Sequence, residues 1–580
     1  MKLISSCWWQ RSAVNNMLRT LLIGAIFCTL LPGATGLNRE LLTTPRQADG
    51  TVKAWIYFAD KGPEDRARSV EGSGLTQRAL ARRSKVMNAR LITEQDVPVR
   101  SDYIATLKNS SAKIRTVSKW LNACSVEADL EQLERLAALP FVADIRPLRS
   151  ARRRPQQEYQ PVTVPSPTAR RTTLDYGYAQ GQIEQINAHT AHENGYFGAG
   201  VLILILDTGY SLEHPVFDSL DIVAQYDFVQ KDSNTANETG DVPSQEIHGT
   251  QVFSVLGGYA PGSLIGPAFE SSYLLAKTED DGSETPVEED YFVAGLEWGE
   301  NLGADVMSTA LGYLDWYEYS DMDGQTAVTT VAVNIATSYG MLCVTSAGNE
   351  AAAAWHYITA PADAPGILSV GAVDAAGQIA SFSSRGPTYD GRIKPEVCAR
   401  GFATAGFTPA KTPFYTTTLT GTSYASPLVS GAAAIILSAH PDWTPRMVRE
   451  ALMKTADSAA TPDTIYGYGV IDVWAAINFT DFTDTIDPVP LSQNFRLLPA
   501  WPNPFNAVTN ISLVMLEGGQ VELEVFNLLG QRVAVLHSGY LISDIHTFTW
   551  RVGERHASGI YWVRARQGDR QASQKLLLLK

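Results

Sequence analysis

Between residues 201 and 373 the chain repeats one pattern, a short apolar run followed by a helix-length stretch. The runs are 201–206, 273–276, 304–307, 341–346 and 367–373. None alternates apolar with polar positions, so both faces of each are expected to be covered. Strands of that kind belong to parallel sheets flanked by helices. The pattern predicts an α/β domain over 176–479, with a mostly parallel sheet and helices on both faces. Within it, the small apolar run 428–437 reads as a helix buried on all sides.

The pattern changes at both ends. Residues 51–59 read as a strand rich in aromatic and β-branched residues, 78–90 as basic helix, and 141–145 as a second strand. Together they predict a small α+β domain over 37–148. Near the other end Val521, Leu523 and Val525 alternate with Glu522 and Glu524, and Phe548 with Trp550 and Tyr561 with Val563 repeat the period of two. Gly518-Gly519, Gly530 and Gly559 punctuate it, which predicts a small antiparallel β-sandwich over 495–580. The basic, proline-rich stretch 149–175 and the acidic stretch 480–494 read as linkers. At the start, Arg11 and Arg19 precede the apolar run 21–31, then Pro32 and small residues, which reads as a signal peptide over 1–36. No later segment is read as long and apolar enough to cross a membrane.

Composition narrows the class. A chain of 580 residues has room for roughly three or four domains. With 45% hydrophobic and 18% charged residues it suits folded domains. The net charge of −15 excludes a general nucleic-acid binder and suits an exported protein. Of five cysteines two fall in the signal segment, so no disulfide framework is expected; a Cys343–Cys398 bridge stays open, and two buried free thiols are the preferred reading.

Three positions carry candidate chemistry. Ser423, in Gly421-Thr422-Ser423-Tyr424-Ala425-Ser426-Pro427, stands at the start of the buried helix, where unpaired N–H groups and the helix dipole favour negative charge. Pro427 is expected within the first helical turn. Asp207 ends the first apolar run, the end of a parallel strand where α/β sheets place ligands. His248 stands in His248-Gly249-Thr250 ahead of an apolar helix-like stretch. Each residue alone also has a plain structural reading, as a helix cap, a turn carboxylate and a core histidine. The order Asp, His, Ser is one of the known chain orders of a serine triad.

These three motifs resemble those of the subtilisin-like serine proteases, the subtilases, and the resemblance covers about 176–480. Ser346-Ala347-Gly348-Asn349, Val370-Gly371-Ala372-Val373, Ser381-Phe382-Ser383-Ser384-Arg385-Gly386-Pro387, Lys394-Pro395-Glu396-Val397 and Tyr466-Gly467-Tyr468-Gly469 extend it. The resemblance implies Ser423 as nucleophile, His248 as base, Asp207 as its orienter and Asn349 as oxyanion donor. It also implies that Ala310, Leu311 and Gly312 pair with extended substrate, while Ala347 and Gly348 form the other wall of the pocket. No cofactor is required for such chemistry; structural calcium is compatible with the family, with no ligands assigned. Asp321-Met322-Asp323-Gly324 reads as a plain turn, His189 and His192 as surface histidines, and the acidic loop 279–290 as a solvated face.

The N-terminal domain is similar to subtilase propeptides, with Lys119-Trp120-Leu121-Asn122-Ala123 and Phe141-Val142 as landmarks. That implies an inhibited precursor cut between about 149 and 175. Trp501-Pro502-Asn503-Pro504-Phe505-Asn506, Phe526-Asn527-Leu528-Leu529-Gly530-Gln531 and Ser558-Gly559-Ile560-Tyr561 resemble type IX secretion sorting domains. The expected location is therefore outside the cell or on its surface, reached through the periplasm of a Gram-negative-type bacterium. The expected partners are protein or peptide substrates, the chain's own propeptide and the secretion machinery. Two other readings stay open: a surface binding protein on an inactive scaffold, and a maturation protease with one partner.

Overall fold

The structure is a computed structural model. It describes residues 41–580 apart from 43, 45, 48, 62–69, 88–90, 149–173, 281–288, 315, 410–413, 483–494, 498–499, 501–502, 504, 507, 516–518, 542–543, 554–555, 569 and 580. The signal segment 1–36 and most of both linkers lie outside the described residues.

In the N-terminal domain β1 (Val52–Phe58), β2 (Lys113–Ser118), β3 (Ala123–Ala128) and β4 (Val142–Pro147) form an antiparallel sheet of order β2-β3-β1-β4. Helices Ser101–Asn109 and Leu130–Ala137 share its core, with Ile56, Leu107, Val126 and Leu133 fully buried. The basic stretch yields a shorter helix than expected, α1 (Gln77–Arg83), capped by Thr76 at its start and ended by Ser84.

The central domain is built on seven strands, all neighbours parallel. They are β5 (Leu202–Asp207), β6 (Asp221–Asp227), β7 (Ser272–Lys277), β8 (Val306–Thr309), β9 (Leu342–Ser346), β10 (Leu368–Val373) and β11 (Val397–Arg400), in the order β11-β10-β9-β8-β5-β7-β6. The five apolar runs became β5 and β7 to β10. Strand β6 carried no such run because it is a half-exposed edge. Strand β5 shows how the sheet divides two cores by its period of two. Ile203 and Ile205 join the core of α2 (Ile247–Gly257) and α4 (Thr422–Ala439), whereas Leu204 and Leu206 join that of α3 (Glu289–Leu302) and helix Val328–Ser338.

Helix α4 starts at Thr422, so Ser423 lies inside its first turn and does not cap it; the cap position is Gly421. Pro427 then falls in the second turn, beyond the expected place, and the carbonyl of Ser423 loses its usual partner four residues on. Among the described residues α4 alone is long and apolar enough to cross a membrane, contrary to the reading of the sequence; it is buried in the core.

One further expectation is corrected here. His192 is a core residue, not a surface one: its ring is held by the Tyr176 hydroxyl at 2.7 Å and the Pro267 carbonyl at 2.8 Å. Burial pushes its pKa down to about 4, so it is neutral in the fold. Cys343 and Cys398 are free and buried, as is Cys124.

The C-terminal part packs a sheet of Phe495–Leu497, Val508–Met515 and Asp544–Arg551 against one of Arg532–Leu541, Gly519–Asn527, Gly559–Gln567 and Arg570–Leu578. Ile511, Leu513, Leu523, Val525, Val563 and Leu576 fill the space between them. All pairs are antiparallel, as the alternation requires.

The N-terminal domain docks on α3 and the end of helix Val328–Ser338. Trp120 joins the core beneath α3, and Trp55, Ala123 and Leu148 pack with Val328. Charged groups seal the contact. Glu300 accepts from Arg82 and from Arg83 Nε and Nη2 at 2.8 and 2.7 Å, while Arg83 grips Asp96 at 2.7 and 2.8 Å. All four side chains are essentially inaccessible to water. The stretch expected to be cut, about 149–175, falls almost wholly on 149–173, outside the described residues.

Candidate active site

Asp207 closes β5 at the carboxyl edge of the sheet and is fully buried. Its Oδ1 accepts from the Thr208 backbone N–H at 2.7 Å and pairs with His248 Nδ1 at 2.8 Å. His248 sits in the first turn of α2, which presses close to the strand end. Glycine at 249 permits that approach, since a Cβ there would lie 2.3 Å from the Gly209 carbonyl oxygen. The Gly249 N–H is taken up by Thr208 Oγ1 at 3.3 Å. Because a carboxylate only accepts, the ring proton belongs on Nδ1 and Nε2 is left as an acceptor. Nε2 is buried and has no hydrogen-bond partner.

Ser423 lies in the first turn of α4 and is buried. Its Oγ donates to the Ala310 carbonyl at 3.2 Å, so the expected serine–histidine bond is not made in this state. Such bonds are often long without substrate and tighten when it binds. The Ser423 backbone N–H, in the first turn, has no intrahelical acceptor.

Asn349 follows β9 and is clamped by the residue before the serine. Its Oδ1 accepts from the Thr422 backbone N–H at 2.9 Å and from Thr422 Oγ1 at 3.0 Å. Thr422 Oγ1 in turn accepts from the Gly348 N–H at 3.2 Å. With the oxygen end engaged, the Nδ2 donors are left for another acceptor. Thr422 is a positioning residue that sequence reasoning passed over, although it stands inside the serine motif.

The other expected residues gather around this centre. Ala310, Leu311 and Gly312 follow β8 outside any strand, leading to Tyr313, which pairs with Ala360. Ala347 is fully buried, with its N–H on Val370 O at 3.0 Å and its carbonyl accepting from Thr359 N at 3.2 Å; Gly348 is half-buried beside Asn349. A buried chain also went unseen in the sequence: the Tyr424 hydroxyl donates to Gln251 Oε1 at 2.6 Å, and Gln251 Nε2 donates to Thr408 Oγ1 at 3.1 Å. It ties α4, α2 and the residue that follows the strand Thr404–Phe407 together beside the histidine.

The described part of the acidic loop is not a solvated face. Glu279 is buried and accepts from the Tyr313 hydroxyl at 3.2 Å, and Glu289 accepts from Tyr317. Asp290 is fully buried against the N-terminal domain, accepting from Arg115 Nε at 2.9 Å and Ser125 Oγ at 2.6 Å. Residues 281–288 lie outside the described residues. Asp323 makes a turn, its Oδ1 accepting from the N–H groups of Gln325 and Thr326, both at 2.9 Å. Asp227, Asp232 and Glu238 bring carboxylate oxygens within 4.8 Å of one another. The Lys277 ammonium already lies 2.8 Å from Asp227 and from Asp241, so a buried cation offsets this charge, and no calcium site is assigned to it.

Comparison with known proteins agrees with this geometry. Residues 198–469 match the Subtilase family, 53–161 the Peptidase S8 propeptide domain of Bacteroidota, and 499–579 a secretion system C-terminal sorting domain. The chain is 30% identical to Subtilisin E of Bacillus subtilis (strain 168) over 372 residues, which is 64% of this chain and 84% of that protein. It is 33% identical to Subtilisin of Bacillus pumilus over 296 residues, covering 51% and 97% of the two. With Subtilisin Savinase of Lederbergia lenta it shares 31% over 298 residues, again 51% and 97%. A buried Asp–His pair at the carboxyl edge of a parallel sheet, a serine in the first turn of a buried helix and this degree of likeness lead to one conclusion: the chain belongs to the subtilase family.

Proposed function

We propose that the chain is a secreted serine endopeptidase that hydrolyses peptide bonds through Asp207, His248 and Ser423. Ser423 Oγ attacks the scissile carbonyl carbon while its proton passes to His248 Nε2. Asp207 holds the ring and stabilises its charged form. The tetrahedral oxyanion is met by Asn349 Nδ2 and the Ser423 N–H. Collapse expels the amine, which takes the proton from His248 and leaves an acyl-enzyme on Ser423. Water, deprotonated by the same histidine, then releases the acid. The segment Ala310, Leu311, Gly312 pairs with extended substrate backbone, and Ala347 with Gly348 forms the facing wall. The observation that carries the reading is His248, fixed by Asp207 at 2.8 Å with its second nitrogen unpaired.

The flanking matches support a life history. Residues 37–148 act as a propeptide that holds the enzyme inactive, cleavage within 149–175 frees the unit 176–479, and residues 495–580, joined by the linker 480–494, direct export by the type IX machinery after removal of 1–36. The test is hydrolysis of a mixed peptide library by secreted, processed protein. Wild type should release fragments and Ser423→Ala none. Equal cleavage by both would refute the assignment; cleavage by neither would favour a binding protein on an inactive scaffold.

A further inference from the structure

Two segments converge beside Ser423. One is 310–312, whose first carbonyl accepts from Ser423 Oγ at 3.2 Å. The other is 347–349, tied to Thr422 through Asn349 at 2.9 Å. Each carries a glycine, and one side chain spans the gap between them. A Cβ on Gly312 would lie 2.4 Å from Thr359 Oγ1, and one on Gly348 would lie 3.0 Å from Thr359 Cγ2 and 3.1 Å from its Oγ1. Both walls are thus bare of side chain where they meet Thr359.

Thr359 cannot withdraw. Its N–H is bonded to the Ala347 carbonyl at 3.2 Å, and the next residue, Ala360, is paired with Tyr313 at 2.8 and 3.1 Å. A β-branched side chain on fixed backbone has few rotamers to choose from. Thr359 is 2% exposed, and its hydroxyl has no hydrogen-bond partner. A long apolar side chain pushed into this space would collide with Cγ2. It would also seal the unpaired hydroxyl among apolar atoms, which is unfavourable.

We propose that Thr359 is the floor of the pocket for the residue whose carbonyl is attacked, and that it limits that residue to the size of glycine, alanine or serine. The substrates are then proteins and peptides cut after small residues, and cleavage after leucine, phenylalanine or tyrosine is excluded by the floor. This rests on the reading of Ser423 as the nucleophile.

The test uses processed enzyme and peptides that differ only at that residue: Ala, Ser, Leu or Phe. Each preparation is first titrated with a fluorophosphonate, so that rates refer to reactive Ser423. Wild type should cleave after Ala and Ser at least about tenfold faster, in kcat/KM, than after Phe, the scale expected when a pocket is one or more carbons too small. Thr359→Gly should raise kcat/KM for Phe by about tenfold or more, whereas the equally bulky Thr359→Val should leave Phe excluded. Wild type cleaving after Phe as fast as after Ala would overturn the proposal whatever the variants do. So would Thr359→Val admitting Phe as well as Thr359→Gly does. Wild type that takes up no fluorophosphonate would fail earlier, at the nucleophile, and would overturn both readings.

Discussion

Glu300→Gln isolates what holds the propeptide on the enzyme. In the docked state four buried groups balance: Arg82 and Arg83 from the propeptide, Asp96 beside them, and Glu300 from the enzyme. Among the described residues Arg82 has no other carboxylate partner, and its remaining bonds run to the carbonyls of Tyr339 and Ala304. The substitution keeps the shape and leaves one guanidinium charge uncompensated and buried. Breaking a buried ion pair from one side costs about 3–5 kcal/mol, which weakens docking by between about 10² and about 10⁴-fold. The assay is a Ser423→Ala precursor nicked at the arginines of 152–154, with co-elution of the two parts followed on dilution. Adding Arg82→Met restores the balance of charge and should recover most of the loss, as a double-mutant cycle would show. A shift below about fivefold for the single variant, or no recovery in the double, would refute the argument from buried charge.

Asn349→Ala should lower kcat by about 10²–10³ with little change in KM, the magnitude measured for the corresponding donor in a subtilisin; steady-state kinetics with a peptide substrate checks it. Thr422→Val removes the hydroxyl that donates to Asn349 Oδ1 and accepts from the Gly348 N–H, so kcat should fall by about five- to a hundredfold, two hydrogen bonds' worth, with the fold unchanged by circular dichroism. Burial raises Glu297 from 4.5 to about 7, although Ser118 Oγ and the N–H groups of Lys119 and Trp120 all donate to it. Its protonated form is favoured in the docked state. Its contribution is therefore full below pH 4.5 and is lost as pH rises through about 7. Release of the nicked propeptide should increase across that window, and Glu297→Gln should flatten the increase.

The central sheet was legible because its strands are covered on both faces: the apolar residues of the runs that became β5 and β7 to β10 are buried. Asp207, His248 and Ser423 were legible as motifs, and the structure brings the first two into contact. What sequence hid depends on partners far along the chain. Asp290 looked solvated until Arg115, from another domain, supplied its counter-charge. His192 looked exposed until Tyr176 and Pro267 satisfied both ring nitrogens. Thr359 carries no motif at all; its importance comes from lying between two glycines 47 and 11 residues before it. The second-turn position of Pro427 was missed because helix α4 begins before the serine.

Mass-spectrometric mapping of a fluorophosphonate adduct on the processed protein tests the central claim most directly. The account predicts one adduct, on Ser423, formed rapidly in wild type and lost or greatly slowed in His248→Ala. An adduct on another residue, or labelling of Ser423 at the same rate without His248, would contradict it.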